Sequence, residues 1–60
     1  MEEKYKILIV DDEQSILDML KLQLEFEGYS VYTAGNAAEA LDKLSYSPDI
    51  VLLDINMDGM

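Results

Sequence analysis

The sequence predicts an α/β domain: a three-stranded parallel sheet with a helix on each face, in the order strand, helix, strand, helix, strand. Three observations carry this. Residues 5–10 (YKILIV) and 50–53 (IVLL) are short apolar runs without alternation, which read as strands covered on both faces. Between them lie two segments with helical apolar spacing and short connections, the pattern of a doubly wound sheet. Both runs close on acid: Asp11 and Asp12 follow the first, and Asp54 follows the second. Ligands of such sheets bind beyond the carboxyl ends of the strands, where strand order reverses.

Strand one is expected over residues 5–10. Helix one runs over 14–27 and stops at Gly28, since glycine is most at home in the left-handed conformation after a helix. Strand two, 29–34, alternates Val31 with Tyr32 and Thr33, as a half-exposed edge strand does. Helix two follows Gly35. Asn36 caps it, and Glu39 three residues on reaches back as in a capping box. Its Ala37, Ala40, Leu41 and Leu44 form one narrow apolar stripe. Pro48 opens strand three. Right-handed crossovers with helices on opposite faces require strands two and three to flank strand one. The strand order is then 2-1-3, with the switch point between strands one and three, where the aspartates lie.

Helix one has more apolar surface than one contact needs. Ile16, Leu17, Leu20 and Leu24 make a stripe for the sheet, and Met19, Leu22 and Phe26 make a second beside it. The second stripe either sinks into the core with the first or awaits a neighbour.

Composition narrows the function. Sixty residues make at most one small domain, which buries only about 60% of its unfolded surface. Half the residues are apolar, so the chain collapses rather than staying disordered. With neither cysteine nor histidine, thiolate metal sites, disulfides and imidazole acid–base catalysis are excluded, and carboxylates are the strong metal ligands that remain. Thirteen acidic residues against four lysines give a net charge of −9, the wrong sign for direct nucleic-acid binding. No run approaches the ~20 apolar residues of a membrane span, and the Met-Glu-Glu-Lys start is unlike a signal peptide. The expected compartment is the cytoplasm.

Three carboxylates converging at one sheet end repel one another and are best stabilised by a divalent cation, which points to metal-assisted phosphate chemistry. The runs Ile7-Leu8-Ile9-Val10-Asp11-Asp12-Glu13, Glu27-Gly28-Tyr29 and Pro48-Asp49-Ile50-Val51-Leu52-Leu53-Asp54-Ile55 resemble the amino-terminal half of a bacterial two-component response-regulator receiver domain. The resemblance covers essentially all of residues 1–60 and implies the β1-α1-β2-α2-β3 half of a flavodoxin-like doubly wound sheet. It further implies that Asp54 is the phosphoacceptor, taking its phosphoryl group from a sensor histidine kinase with Mg²⁺ as cofactor. Asp12 would then ligate directly, Asp11 through water, and Asn56 through its backbone carbonyl. Such a chain is an acceptor and not an enzyme. The chemistry agrees: carboxylates form aspartyl-phosphates, and Mg²⁺ favours one or two carboxylates, waters and phosphate oxygens. Glu13 reads as a first-turn helix residue facing the dipole, not as a ligand.

Other readings compete. Asp11 and Asp12 are also ordinary helix-capping residues, and Asp54 an ordinary turn residue, in a purely structural half-domain. Asp54-Ile55-Asn56-Met57-Asp58-Gly59 matches the opening of a calcium-binding EF-hand loop. That loop needs a preceding helix, where a strand is expected, and a later glutamate beyond residue 60. A dehalogenase-like phosphatase would need Asp-x-Asp-x-Thr after strand one, and a dinucleotide fold would need a glycine-rich turn there; the chain has neither. Asp58 stands where the resembled family usually has proline, which loosens the loop and adds an anion. The resemblance also implies a later half carrying a hydroxyl residue, a lysine and an aromatic switch residue, so the chain reads as a fragment of a signalling protein. Strand three would then be an unprotected edge, and self-association through it is expected.

Overall fold

A computed structural model describes residues 4–53. It contains β1 (Lys6–Val10), α1 (Gln14–Phe26), β2 (Ser30–Ala34), α2 (Ala37–Lys43), a short 3₁₀ turn (Leu44–Tyr46) and β3 (Ile50–Leu53). The sheet is parallel with the order β2-β1-β3, as expected from right-handed crossovers.

β1 is the centre of the structure: Ile7, Leu8, Ile9 and Val10 are all buried. Alternate residues feed two cores. Ile7 and Ile9 join Val31 and Leu17 of α1, with Leu20, Leu24 and Tyr29 packed around them. Leu8 and Val10 join Ala34 on the other face, under Tyr32 and Ala40 of α2. A strand buried on both sides needs no alternation, which is why its sequence is a continuous apolar run.

The helix ends are chemically defined. At the end of α1 the Tyr29 N–H donates to the Leu24 carbonyl (3.1 Å) and the Gly28 N–H to the Glu25 carbonyl (3.0 Å). This is the Schellman pattern, with Gly28 at φ 104° and Tyr29 packed on the same core as Leu24. At the start of α2, Asn36 Oδ1 accepts from the Glu39 N–H at 2.9 Å. Glu39 reaches back one residue further than the capping box expects: its Oε1 accepts from the Gly35 N–H at 2.8 Å.

Two readings are corrected. β3 is not covered on both faces: its four residues are 43–47% exposed, because both helices lie over β1 and β2 and neither packs on β3. For the same reason Leu41 and Leu44, read as part of the inward stripe of α2, are exposed. They overhang an apolar groove of about 260 Å³ whose floor includes Leu8, Val10, Val51 and Leu53. On α1, Leu17 is buried and Leu20 and Leu24 are half-buried, whereas Met19, Leu22 and Phe26 stand out in solvent. The second stripe therefore does not sink into the core.

Candidate functional site

The carboxyl end of β1 is where the chain turns from sheet to helix. The Asp11 N–H donates to the Ala34 carbonyl at 3.1 Å, extending the β1–β2 ladder one residue past Val10. The Asp11 side chain then folds forward, Oδ1 accepting from the Glu13 N–H at 3.0 Å. This is the local bond that lets aspartate turn a chain. Asp11 is half-buried and Asp12 is exposed.

Glu13 is the N-cap of α1, in extended conformation (φ −102°, ψ 113°) with no side-chain capping bond. Its carbonyl accepts from the N–H groups of Ile16 and Leu17, both at 3.1 Å. The expectation that Glu13 lies in the first helical turn is thus off by one position. Neither Asp11 nor Asp12 is the N-cap of α1 either. Asp12 makes no hydrogen bond or ion pair among the described residues, and Asp11 keeps Oδ2 free of any there.

The register aligns the carboxyl ends of β1 and β3. Val10 pairs with Leu53 and Ile9 with Leu52 in a parallel ladder. Asp11 follows Val10, and Asp54 follows Leu53. Asp54, Asn56 and Asp58 lie outside the described residues. Among the described residues no three carboxylates gather into a metal-sized cluster. The donor set that is described suits a hard cation: two carboxylates on one turn, with free oxygens and no lysine paired to either.

Sequence reasoning missed what fixes that register, at the opposite end of the sheet. The Asp49 N–H donates to the Lys6 carbonyl and the Lys6 N–H to Asp49 Oδ2, both at 2.8 Å. Lys6 Nζ also donates to the Tyr46 carbonyl at 3.1 Å, and the Tyr46 ring stacks on Tyr32 with centroids 4.8 Å apart. Asp49 beside Pro48 was the available signal, since a side chain before a strand can close a bond across it.

Residues 7–60 match the family model of the response regulator receiver domain. Among solved structures, the chain is similar to the chemotaxis protein CheY4 of Vibrio cholerae. That match has a TM-score of 0.91 and 39% identity, over 97% of this chain and 49% of that one. It is likewise similar to a response regulator receiver domain protein from Clostridium thermocellum (TM-score 0.86, 37% identity), over 93% of this chain and 47% of the other. The chain thus spans about half the length of the solved structures it matches. A family match over residues 7–60, with solved structures aligned over nearly all of the chain at these identities, makes it a member of the response regulator receiver domain family.

Proposed function

We propose that Asp54 accepts a phosphoryl group from a phosphohistidine of a sensor histidine kinase, with Mg²⁺ held by Asp11, Asp12, Asp54 and the backbone carbonyl of Asn56. A carboxylate oxygen of Asp54 attacks phosphorus, the P–N bond breaks, and the imidazole leaves with the electron pair, to be protonated. The metal supplies neutralisation of charge on the transferring oxygens. Asp54 is itself modified, so the chain acts as an acceptor and not as a turnover catalyst.

The observation supporting this reading is the pairing of Val10 with Leu53 on adjacent parallel strands, since Asp11 and Asp54 are the residues that follow them in the sequence. Asp11 is braced by two backbone bonds, so one side of the proposed site is held in place before any ligand arrives. The calcium-loop alternative loses its footing, because the segment entering Asp54 is the strand Ile50–Leu53 and an EF-hand needs a helix there.

The test is phosphorylation of the response regulator carrying this sequence, using a small acyl phosphate and Mg²⁺. One base-labile phosphoryl group per chain is expected, lost in Asp54→Asn. Undiminished labelling of Asp54→Asn would refute the assignment.

A further inference from the structure

We propose that Asp49 is a positioning residue for the phosphoryl transfer. Its two bonds to Lys6 hold β3 in the register that pairs Leu53, the residue before the acceptor, with Val10, the residue before Asp11. This role rests on Asp54 being the acceptor. The need for a lock is visible in the two strands. β3 is Ile50-Val51-Leu52-Leu53, and the stretch of β1 it pairs with is Ile7-Leu8-Ile9-Val10. Register is ordinarily chosen by which side chains must face the core and which must not. Here a slip of one residue exchanges apolar for apolar on both faces, so the interior of the strand does not choose. Yet that slip moves the carboxyl end of β3 by about 3.3 Å and turns its side chains to the opposite faces. A reacting group misplaced by about 1 Å can cost on the order of a hundredfold in rate.

Asp49 meets Lys6 twice. Its N–H donates to the Lys6 carbonyl, and its Oδ2 accepts from the Lys6 N–H, both at 2.8 Å. Neither neighbour in the chain can do the same. A slip one way brings Pro48 to Lys6, with no N–H to donate and no carboxylate. A slip the other way brings Ile50, which has the N–H but no side-chain acceptor, and the Lys6 N–H loses its partner. Of the three, Asp49 alone carries both groups, so the pair of bonds selects one register. The segment feeding β3 is held as well. Lys6 Nζ donates to the Tyr46 carbonyl at 3.1 Å, and the Tyr46 ring stacks on Tyr32 of β2 with centroids 4.8 Å apart. The Ser47 N–H donates to the Leu44 carbonyl at 2.9 Å. Lys6 thus grips the chain on both sides of Pro48, which leaves little slack for a slip. The lock lies at the amino end of the sheet and bonds neither Asp11 nor Asp12. Its effect on the transfer passes through the register.

The test uses the response regulator carrying this sequence, labelled by a small acyl phosphate at saturating Mg²⁺. Asp49→Ala keeps the backbone bond and loses the carboxylate, and it should label at least about tenfold more slowly. Asp49→Asn keeps an oxygen that can accept from the Lys6 N–H, and it should label within about twofold of the unaltered protein. Asn36→Ala removes a side-chain bond of the same kind from α2 and should label at the unaltered rate, whereas a merely structural role for Asp49 would slow both alanine variants alike. Should Asp49→Ala fail to fold, Asp49→Glu takes its place, with the same charge on a longer arm and the same slowing expected. Undiminished labelling of Asp49→Ala, equal slowing of Asp49→Asn, or equal slowing of Asn36→Ala would each overturn the proposal. Failure of the acceptor reading looks different, because the unaltered protein and Asp54→Asn would then label alike. The register lock would in that case be decided by NMR, and cross-strand contacts of Val10 with Leu53 kept in full by Asp49→Ala would overturn it.

Discussion

At the scale of single residues, two side chains close the start of α2. Asn36 Oδ1 satisfies one orphan N–H of α2 and Glu39 Oε1 satisfies the Gly35 N–H just before it. Replacing Asn36 by Ala should cost about 1 kcal/mol in urea unfolding, the usual worth of such a cap. Gly28 is a different case. A Cβ there would meet nothing within 4 Å, yet φ is 104°, so the cost of Gly28→Ala is conformational and not steric, again about 1 kcal/mol. A loss near zero would mean that the turn after α1 relaxes to negative φ. Asp12 is exposed, and its carboxylate makes no hydrogen bond or ion pair among the described residues. Millimolar Mg²⁺ binding is expected, roughly, for a site that keeps several waters. Asp12→Ala should weaken it several-fold in an NMR titration while leaving unfolding by urea nearly unchanged. An equal loss of stability would give Asp12 a structural role instead.

At the scale of elements, periodicity located the strands and helices to within a residue or two, and right-handed crossover gave the strand order. Burial was legible only where the chain itself supplies the covering layer. The apolar runs of β1 and β3 look alike, yet Leu8 is buried and Val51, its register partner, is nearly half exposed. Composition records that a surface is apolar, not whether a neighbour lies on it. The same limit explains Leu41 and Leu44, correctly placed on the apolar side of α2 and left uncovered. Lys43 was illegible for another reason: it looks like a basic residue at a helix end, and its bond to Thr33 exists only once α2 has packed on the sheet. These differences predict different mutational costs. Leu17 is the one fully buried residue of α1, so Leu17→Ala should cost 2–5 kcal/mol, roughly, enough to unfold a domain of this size. Phe26 is 90% exposed, so Phe26→Ser should fall within about 0.5 kcal/mol. Chemical denaturation of the two variants separates them at once.

At the scale of the whole molecule, net charge and shape set the response to salt. Thirteen acids and four lysines leave −9 on a body with a Cα radius of gyration of 11.3 Å. Two like charges 10 Å apart in water repel by about 0.4 kcal/mol, and at roughly 0.01 M salt the screening length is about 30 Å, well beyond the 11.3 Å radius of gyration. Most pairs of charges therefore feel one another in dilute buffer. Little attraction opposes this: the ion pair found among the described residues, Lys21 with Glu25, is 4.0 Å long and lies on the exposed face of α1, where such pairs contribute a few tenths of a kcal/mol. Raising NaCl to about 0.5 M contracts the screening length to a few ångströms and removes more repulsion than attraction. Thermal unfolding should accordingly shift upward by several degrees, a domain of this size moving roughly 4–8 °C per kcal/mol. Sodium is the right counter-ion for the measurement, because Mg²⁺ would bind the acidic turn as well as screen it. A melting temperature that falls with added NaCl would mean that ion pairs, not self-repulsion, dominate the electrostatics of this fold.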